Sequence, residues 1–197
     1  MITIYGDPTS GNCLKVKWTA ERLAIPFTWI DVEVVRSETR TPEFLAMNPA
    51  GQVPTVKLAD GRILAQSNAI LLHLAESSAL IPADAYDRAK MLEWLFWEQY
   101  SHEPYVAVAR FQMKHLGKPR SEVDPKIFQR GEAALRRLDE ALAGRDFLVG
   151  EALTLADIAL VAYTRYAADA GFELSDYPAV EAWVGRVEAE LPIKESR

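Results

Sequence analysis

The amino-acid sequence predicts an α/β domain followed by an all-helical domain. Up to about residue 77, short β-prone runs alternate with apolar residues at helical spacing, whereas beyond residue 88 the helical spacing continues to the end of the chain. The segment between them, from Glu76 to Asp87, is polar and rich in turn formers. We therefore predict a first domain over residues 1–77, a linker over 78–87 and a helical domain over 88–197.

The first domain is predicted to begin with a strand, a helix and a second strand. Ile2–Tyr5 is a short β-prone run, and the turn-forming residues after it end the strand. Apolar residues then recur at helical spacing over Asn12–Ala24, and Phe27–Val32 is the second β-prone run. A helix that connects two strands in this way makes the strands parallel. Thr41–Met47 is predicted to form a short helix after them.

A β-hairpin and a further helix complete the first domain. Asp60-Gly61 is a strong hairpin signal between the apolar runs Thr55–Ala59 and Arg62–Gln66. Ser67 then opens a helical pattern, and a serine is a favourable N-cap because its hydroxyl can bond the unpaired amides of the first turn. The complete order, βαβ-α-ββα, is that of a thioredoxin-like domain.

The second domain is predicted to be helical throughout. Helices are predicted from Met91, over Ile127–Leu142, over Leu155–Tyr166 and from Pro178. Thr154 and Asp157 have the spacing of a capping box at the start of the third of these helices. We interpret Asp157 as a residue that stabilises the fold and not as a catalytic acid.

Composition limits the kinds of function that fit the chain. Its 197 residues carry a net charge of −6 without any basic block, which argues against nucleic acid as a partner. The single cysteine, Cys13, excludes an internal disulfide framework, and no motif for a bound metal is present. Neither a signal peptide nor an apolar run of membrane-spanning length is found. We therefore expect a cytoplasmic protein that needs no metal and does not enter a membrane.

The stretch from Asn48 to Glu76 has features of a binding face for a small anionic peptide. Pro54 stands at the start of a β-prone run, where proline is tolerated only at a strand's first residue, an edge or a bulge. A cis Val53-Pro54 bond, the minority state, would leave the N–H and C=O of Val53 open to an added strand. The helix start at Ser67 would attract a carboxylate because the N-terminus of a helix carries partial positive charge.

These residues resemble the glutathione-binding half of the cytosolic glutathione transferases. The elements of the family pattern are here Asn48-Pro49, Gln52, Val53-Pro54, Asp60-Gly61 and Gln66-Ser67. The resemblance implies that the Val53-Pro54 bond is cis and that the Val53 backbone pairs with the cysteinyl part of glutathione, with Gln52 and Pro54 also in the glutathione-binding set. It also implies that Gln66 and Ser67 hold the γ-glutamyl end. The helical second half extends the resemblance over nearly the whole chain.

The segment between the first strand and the first helix carries the candidate catalytic residues, Ser10 and Asn12. Ser10 could donate its O–H to the sulfur of a bound thiol and so favour the thiolate, which is the nucleophile. Theta- and delta-like transferases place a serine at this point, and some bacterial relatives use the residue two positions later, here Asn12. We expect Ser10 to be the activator before Asn12, and simple helix capping is the alternative for both.

Two other residues near the start of the chain could take part in sulfur chemistry. Tyr5 is the alternative activator, as in alpha-, mu- and pi-like transferases, although a packed strand residue is expected there. Cys13 is expected to face the core as a small apolar side chain. The alternative for Cys13 is a mixed disulfide with glutathione, as in beta- and omega-like relatives.

The co-substrate site is predicted in the helical domain, at an apolar wall that includes Tyr105 and Phe111. Trp97, Tyr100 and Met113 belong to the same cluster, and for most of these five residues we expect core packing rather than contact with a co-substrate. We expect a glutathione transferase that conjugates glutathione to a small apolar electrophile in detoxification. The resemblance further implies a homodimer. A glutathione-dependent disulfide or peroxide reductase, and a non-catalytic interaction protein of the same fold, are the alternatives.

Overall fold

The computed structural model describes residues 1–193, so the last four residues of the predicted helical domain lie outside the described part. The chain divides into two compact units, Met1–Ser78 and the residues from Ala79 onward. The predicted fold class is confirmed: a four-stranded mixed sheet with helices makes up the first unit, and the second unit is helical.

The first unit follows the predicted order of strands and helices. The strands are β1 (Ile2–Gly6), β2 (Phe27–Asp31), β3 (Thr55–Lys57) and β4 (Ile63–Ala65), and the helices are α1 (Gly11–Arg22), α2 (Pro42–Met47) and α3 (Ser67–Leu74). The strands lie in the order β2-β1-β3-β4, with β1 parallel to β2 and antiparallel to β3. Because β1 is central, the loop after it is held on both sides by neighbouring strands.

The core of the first unit lies between the sheet and helices α1 and α3. Ile4 and Val56 pair across β1 and β3 and are fully buried, as are Val16 of α1 and Ile70 of α3. Burial of an aliphatic side chain contributes about 1.5–3 kcal/mol relative to exposure, so these residues fix the sheet against both helices. Both helices therefore present their first turns from fixed positions.

The second unit contains five helices among the described residues. They are α4 (Ala85–Trp97), α5 (Glu103–Arg110), α6 (Pro125–Leu142), α7 (Leu155–Thr164) and α8 (Pro178–Glu190). Helix α4 begins inside the segment predicted as linker because Asp84 caps it, its carboxylate accepting from the amides of Tyr86 and Asp87 at 2.9 and 3.0 Å. Helix α7 is buried along its whole length and forms the centre of the unit.

Two π-helical turns adjoin α5, one between α4 and α5 and the other directly after α5. One covers Glu98–His102 and the other covers Phe111–His115. Such turns insert a residue into the α-helical ladder and are frequent at functional sites. The apolar periodicity of this region predicts helix but gives no sign of the wider turns.

Candidate functional site

Ser10 lies at the N-cap of α1, in an extended backbone conformation (φ −83°, ψ 120°). Its carbonyl accepts from the amides of Cys13 and Leu14 at 3.0 and 2.9 Å, whereas its side chain makes no capping hydrogen bond. The structure therefore gives no support to the alternative of side-chain capping by Ser10. Ser10 and Asn12 are both half-buried, so both side chains lie at the protein surface beside the start of the helix.

Asp7 organises the loop that presents these two residues. Its carboxylate accepts from the amide and the hydroxyl of Thr9 at 2.8 and 2.7 Å, and from the amide of Val34 at 3.2 Å. The sequence analysis did not single out Asp7. An Asp two residues before a Thr is the pattern of an Asx-turn, which is the signal that could have identified it. The carboxylate thereby joins the loop after β1 to the segment after β2.

The Val53-Pro54 bond is cis, as the resemblance implies. Asn48 holds the loop before it, because the Asn48 side-chain amide donates to the Gln52 carbonyl at 2.8 Å and to the Thr55 hydroxyl oxygen at 3.0 Å. Val53 lies outside β3, and within residues 1–193 its N–H and C=O form no backbone–backbone hydrogen bond. The backbone at Val53 can therefore pair with an added extended peptide.

Helix α3 begins one residue earlier than the N-cap prediction places it. Gln66 is the N-cap and Ser67 is the first helical residue, so the prediction of Ser67 as N-cap is wrong. Gln66 has φ +70°, a left-handed value that favours glycine. A non-glycine residue held in such a conformation is more common at ligand sites than elsewhere. Gln66 is exposed, and so is Gln52.

Ser67 joins the two halves of the site. It is 5% exposed, and its hydroxyl donates to the side-chain oxygen of Asn12 at 3.1 Å. This hydrogen bond connects the first turn of α3 with the first turn of α1, across 55 residues of sequence. Two helix N-termini, each with partial positive charge, therefore meet at one place.

Lys15 and Asn68 form a second connection between the same helices. Lys15 is fully buried, and its ammonium donates to the side-chain oxygen of Asn68 at 3.2 Å. Sequence analysis missed Lys15 because lysine is almost never fully buried unless it is paired, so the residue type predicts an exposed position.

Cys13 is fully buried, as expected of a small apolar side chain. Burial raises the pKa of the Cys13 thiol to about 12, against a smaller lowering by the side chain of Ser10 and the amide of Asp7. The thiol is therefore neutral at physiological pH and carries almost no nucleophilic thiolate. The geometry gives no support to a mixed disulfide between Cys13 and glutathione.

The predicted co-substrate residues lie in the second unit. Tyr105, in α5, is half-buried, and Phe111, in the π-helical turn that follows, is exposed with its ring 5.8 Å from that of His115. Trp97 and Met113 are half-buried and Tyr100 is exposed. None of these five side chains is buried, so the expectation that most of them are core residues is wrong.

Metal binding and membrane spanning can both be assessed for the described residues. His102 is buried, with its Nε2 atom 3.0 Å from the Thr164 hydroxyl. Within residues 1–193, no three or more His, Cys, Asp or Glu side chains are grouped so that they could hold a metal ion. No helix in the same part of the chain has the length and apolar character needed to cross a membrane.

The fold and the site together define a thioredoxin-like unit, with Ser10 in the loop between β1 and α1, followed by a helical unit. Family models described as the N-terminal and C-terminal domains of glutathione S-transferase match residues 9–77 and 95–190. The chain belongs to the glutathione S-transferase family.

Individual relatives agree with this assignment. A Fusarium protein described as glutathione S-transferase-like protein LUC7 is 34% identical over 169 residues, which cover 80% of this chain and 75% of that protein. The crystal structure of a glutathione S-transferase from Pseudomonas fluorescens Pf-5 has a TM-score of 0.92 at 45% identity, covering 95% of this chain and 94% of that one. One from Xanthobacter autotrophicus Py2 also has a TM-score of 0.92, at 44% identity, covering 99% and 96%.

Proposed function

We propose that this chain is an enzyme that binds glutathione in its first unit, ionises the thiol and transfers the thiolate to a small apolar electrophile. The hydrogen bond between Ser67 and Asn12 carries the proposal, because it joins the starts of α1 and α3. Glutathione has two carboxylates and, when activated, a thiolate. Negative charges of this kind are stabilised by the partial positive charge at helix N-termini.

The proposed binding roles use the backbone of Val53 and the start of α3 in the first unit. The cysteinyl backbone of glutathione pairs with the N–H and C=O of Val53 as an added strand, next to Gln52 and cis Pro54. Gln66 and Ser67 receive the γ-glutamyl end at the start of α3. The left-handed conformation of Gln66 directs its backbone and side chain at this point, which supports a binding role.

Ser10 and Asn12 are the two donors proposed for the glutathione sulfur. A hydrogen bond to a charged group contributes about 1.5–3 kcal/mol, which corresponds to a roughly 10- to 150-fold change in thiolate population. The Ser10 side chain also contacts the sulfur of Cys13, whose neutral thiol competes weakly with a thiolate for the hydroxyl proton. We propose Ser10 as the principal donor, with Asn12 positioned by Ser67 as the second.

A mutant series tests these roles. We expect Ser10→Ala to lower kcat/KM for conjugation of glutathione to a halogenated aromatic by at least about tenfold, with Asn12→Ala next in effect. Ser121→Ala, at an exposed serine of the second unit, is the matched control and should retain full activity. Full turnover in both Ser10→Ala and Asn12→Ala would overturn the proposed activation.

The proposal also covers the electrophile, the oligomeric state and the cellular compartment. Tyr105 and Phe111 are proposed to contact the apolar co-substrate, and a detoxifying homodimer in the cytoplasm is the proposed working form. Faster turnover of a disulfide than of a halogenated aromatic would favour the reductase alternative. Failure to bind glutathione would favour a non-catalytic interaction protein.

A further inference from the structure

Two consecutive residues of α3 pair with two residues one turn apart on α1. Ser67 donates to Asn12, and Asn68 accepts from the ammonium of Lys15. Residues three apart on a helix lie on the same face, with Cβ atoms about 5–6 Å apart. Asn12 and Lys15 therefore form adjacent contacts between α1 and α3, and Lys15 lies one turn along α1 from Asn12, a proposed donor to the thiol.

The charge of Lys15 is held where solvent screens it least. The side chain is fully buried, and charges in the interior interact more strongly than charges in water. The first turn of α1 contains no acidic residue that would oppose it. Its field also acts on a sulfur atom at this end of the helix, since the positive charge of Lys15 lowers the pKa of the Cys13 thiol, although burial of that thiol has the larger, opposite effect.

Several ionisable groups lie on the elements that hold Lys15. The loop after β1 contributes Asp7, whose carboxylate accepts from three hydrogen-bond donors. Helix α1 itself contributes Cys13, Lys17, Glu21 and Arg22. On β1 the one titratable side chain is Tyr5, which is half-buried, and on α3 it is His73, which is exposed near the end of the helix. At the start of α1 the charge of Asp7 opposes that of Lys15, because, beyond the larger effect of burial, the charge of Asp7 raises the pKa of the Cys13 thiol somewhat more than Lys15 lowers it.

We propose that Lys15 is an electrostatic positioning residue of the glutathione site. Its buried ammonium stabilises the thiolate of bound glutathione without touching it, and its hydrogen bond to Asn68 keeps the starts of α1 and α3 together. The inference rests on the proposed function, since it concerns the ionisation of glutathione bound there. Ser10 and Asn12 supply the hydrogen bonds to the sulfur, and Lys15 supplies the fixed charge.

The expected effect is large enough to measure. A unit charge about 10 Å from the sulfur, at an effective dielectric constant of about 20, shifts the pKa of a thiol by about one unit. Replacement of Lys15 by methionine removes the charge and retains a long, flexible side chain that suits a buried position. We therefore expect Lys15→Met to raise the pKa of bound glutathione by about one unit.

Lys17 provides the matched control. It lies two residues further along α1, so it faces a different side of the helix, and its ammonium is 5.5 Å from the centroid of the Trp29 ring. Lys17→Met removes the same charge from the same helix at a half-buried position. Because solvent screens this charge, we expect the pKa of bound glutathione to be unchanged in Lys17→Met.

The experiment follows thiolate absorbance of bound glutathione against pH in the full-length wild type, Lys15→Met and Lys17→Met. Conjugation kinetics are measured in parallel. The inference predicts that Lys15→Met loses up to about tenfold in kcat/KM below the thiol pKa and recovers the wild-type value at high pH. A merely structural role for Lys15 would lower activity by the same factor at every pH.

Each outcome decides the matter. A bound thiolate in wild type with an unchanged pKa in Lys15→Met would overturn this inference and leave the proposed function in place. The absence of any bound thiolate in wild type would overturn the proposed function and this inference together. Should Lys15→Met fail to fold, Asn68→Asp places a carboxylate against the retained ammonium. That variant must raise the thiol pKa in the same direction, and no change would refute the inference.

Discussion

The buried carboxylate of Asp157 makes a sharp prediction about the stability of the second unit. Its Oδ1 accepts from the amide of Leu148 and the indole N–H of Trp183, both at 2.9 Å. Its Oδ2 accepts from the amide and the hydroxyl of Thr154, also at 2.9 Å. One side chain therefore joins the loop before α7, the first turn of α7 and helix α8. Burial raises the pKa of this carboxyl group, and the four hydrogen bonds oppose that rise.

The substitution Asp157→Asn keeps the volume of the side chain and removes one acceptor. In its best orientation the amide oxygen faces Leu148 and Trp183, and the NH2 group faces Thr154. The Thr154 hydroxyl can rotate to accept from that NH2 group, whereas the Thr154 amide loses its acceptor. A buried N–H without a partner costs about 1–3 kcal/mol, so the free energy of unfolding should fall by about that amount.

Urea unfolding measures this loss directly. We expect the midpoint to fall in Asp157→Asn with the slope unchanged. Asp157→Ala leaves three buried N–H groups without an acceptor, and its larger cost is comparable with a total stability of about 5–15 kcal/mol. Asp146→Asn, at a side chain that is 76% exposed, is the control and should lose less than about 0.5 kcal/mol. An equally small loss in Asp157→Asn would refute the reasoning.

Two further predictions concern the cores of the two units. Above pH 9 the unfolded Cys13 thiol ionises while the folded one, with a pKa of about 12, does not. As the pH rises above 9, the free energy of unfolding should therefore fall more steeply in wild type than in Cys13→Ala, by about 1.4 kcal/mol per pH unit. Below pH 8 the two slopes should be the same. Urea midpoints of the two proteins that stay parallel from pH 8 to 10.5 would contradict this. Gly131→Ala should destabilise by about 1 kcal/mol, because its Cβ would lie 2.3 Å from Phe172 and overpacking outweighs helix propensity. In the control Gly185→Ala the new Cβ meets no atom within 4 Å, so the midpoint of thermal unfolding should rise. Equal shifts of this midpoint in Gly131→Ala and Gly185→Ala would show that the clash with Phe172 is absent.

The architecture could be predicted because local and long-range signals in the sequence agree. The β-prone run Ile2–Tyr5 became a central strand, and Asp60-Gly61 became the turn of a hairpin between β3 and β4. Helix α7 kept the predicted apolar face and the predicted contacts between Thr154 and Asp157. Each of these depends on residues close together in sequence, whose preferences the tertiary structure does not override.

The start of α3 could not be placed to the residue. A serine before an apolar helical run indicates an N-cap, but the chain turns one residue earlier, at Gln66. Gln66 makes this turn with a left-handed backbone, a conformation that residues other than glycine do not favour. Local sequence preference therefore does not indicate where the helix starts. The contact between Ser67 and Asn12 likewise depends on how α1 packs against α3.

Lys15 and Asp7 escaped prediction for a related reason. Both are charged residues that the sequence alone places at the surface, and both are buried by partners distant in sequence. Lys15 donates a hydrogen bond to Asn68, and Asp7 accepts one from the amide of Val34. The resemblance to the family supplied the residues that we propose to contact glutathione. The residues that hold this site in place depend on tertiary packing, which the sequence does not show.

The central claim is that bound glutathione is ionised in the first unit. The most direct measurement is an ultraviolet difference titration of the purified protein with glutathione across pH, in wild type and in Ser10→Ala. The account predicts a saturable thiolate absorbance near neutral pH in wild type that is lost, or moved to higher pH, in Ser10→Ala. Saturable binding of glutathione without any thiolate absorbance would contradict it.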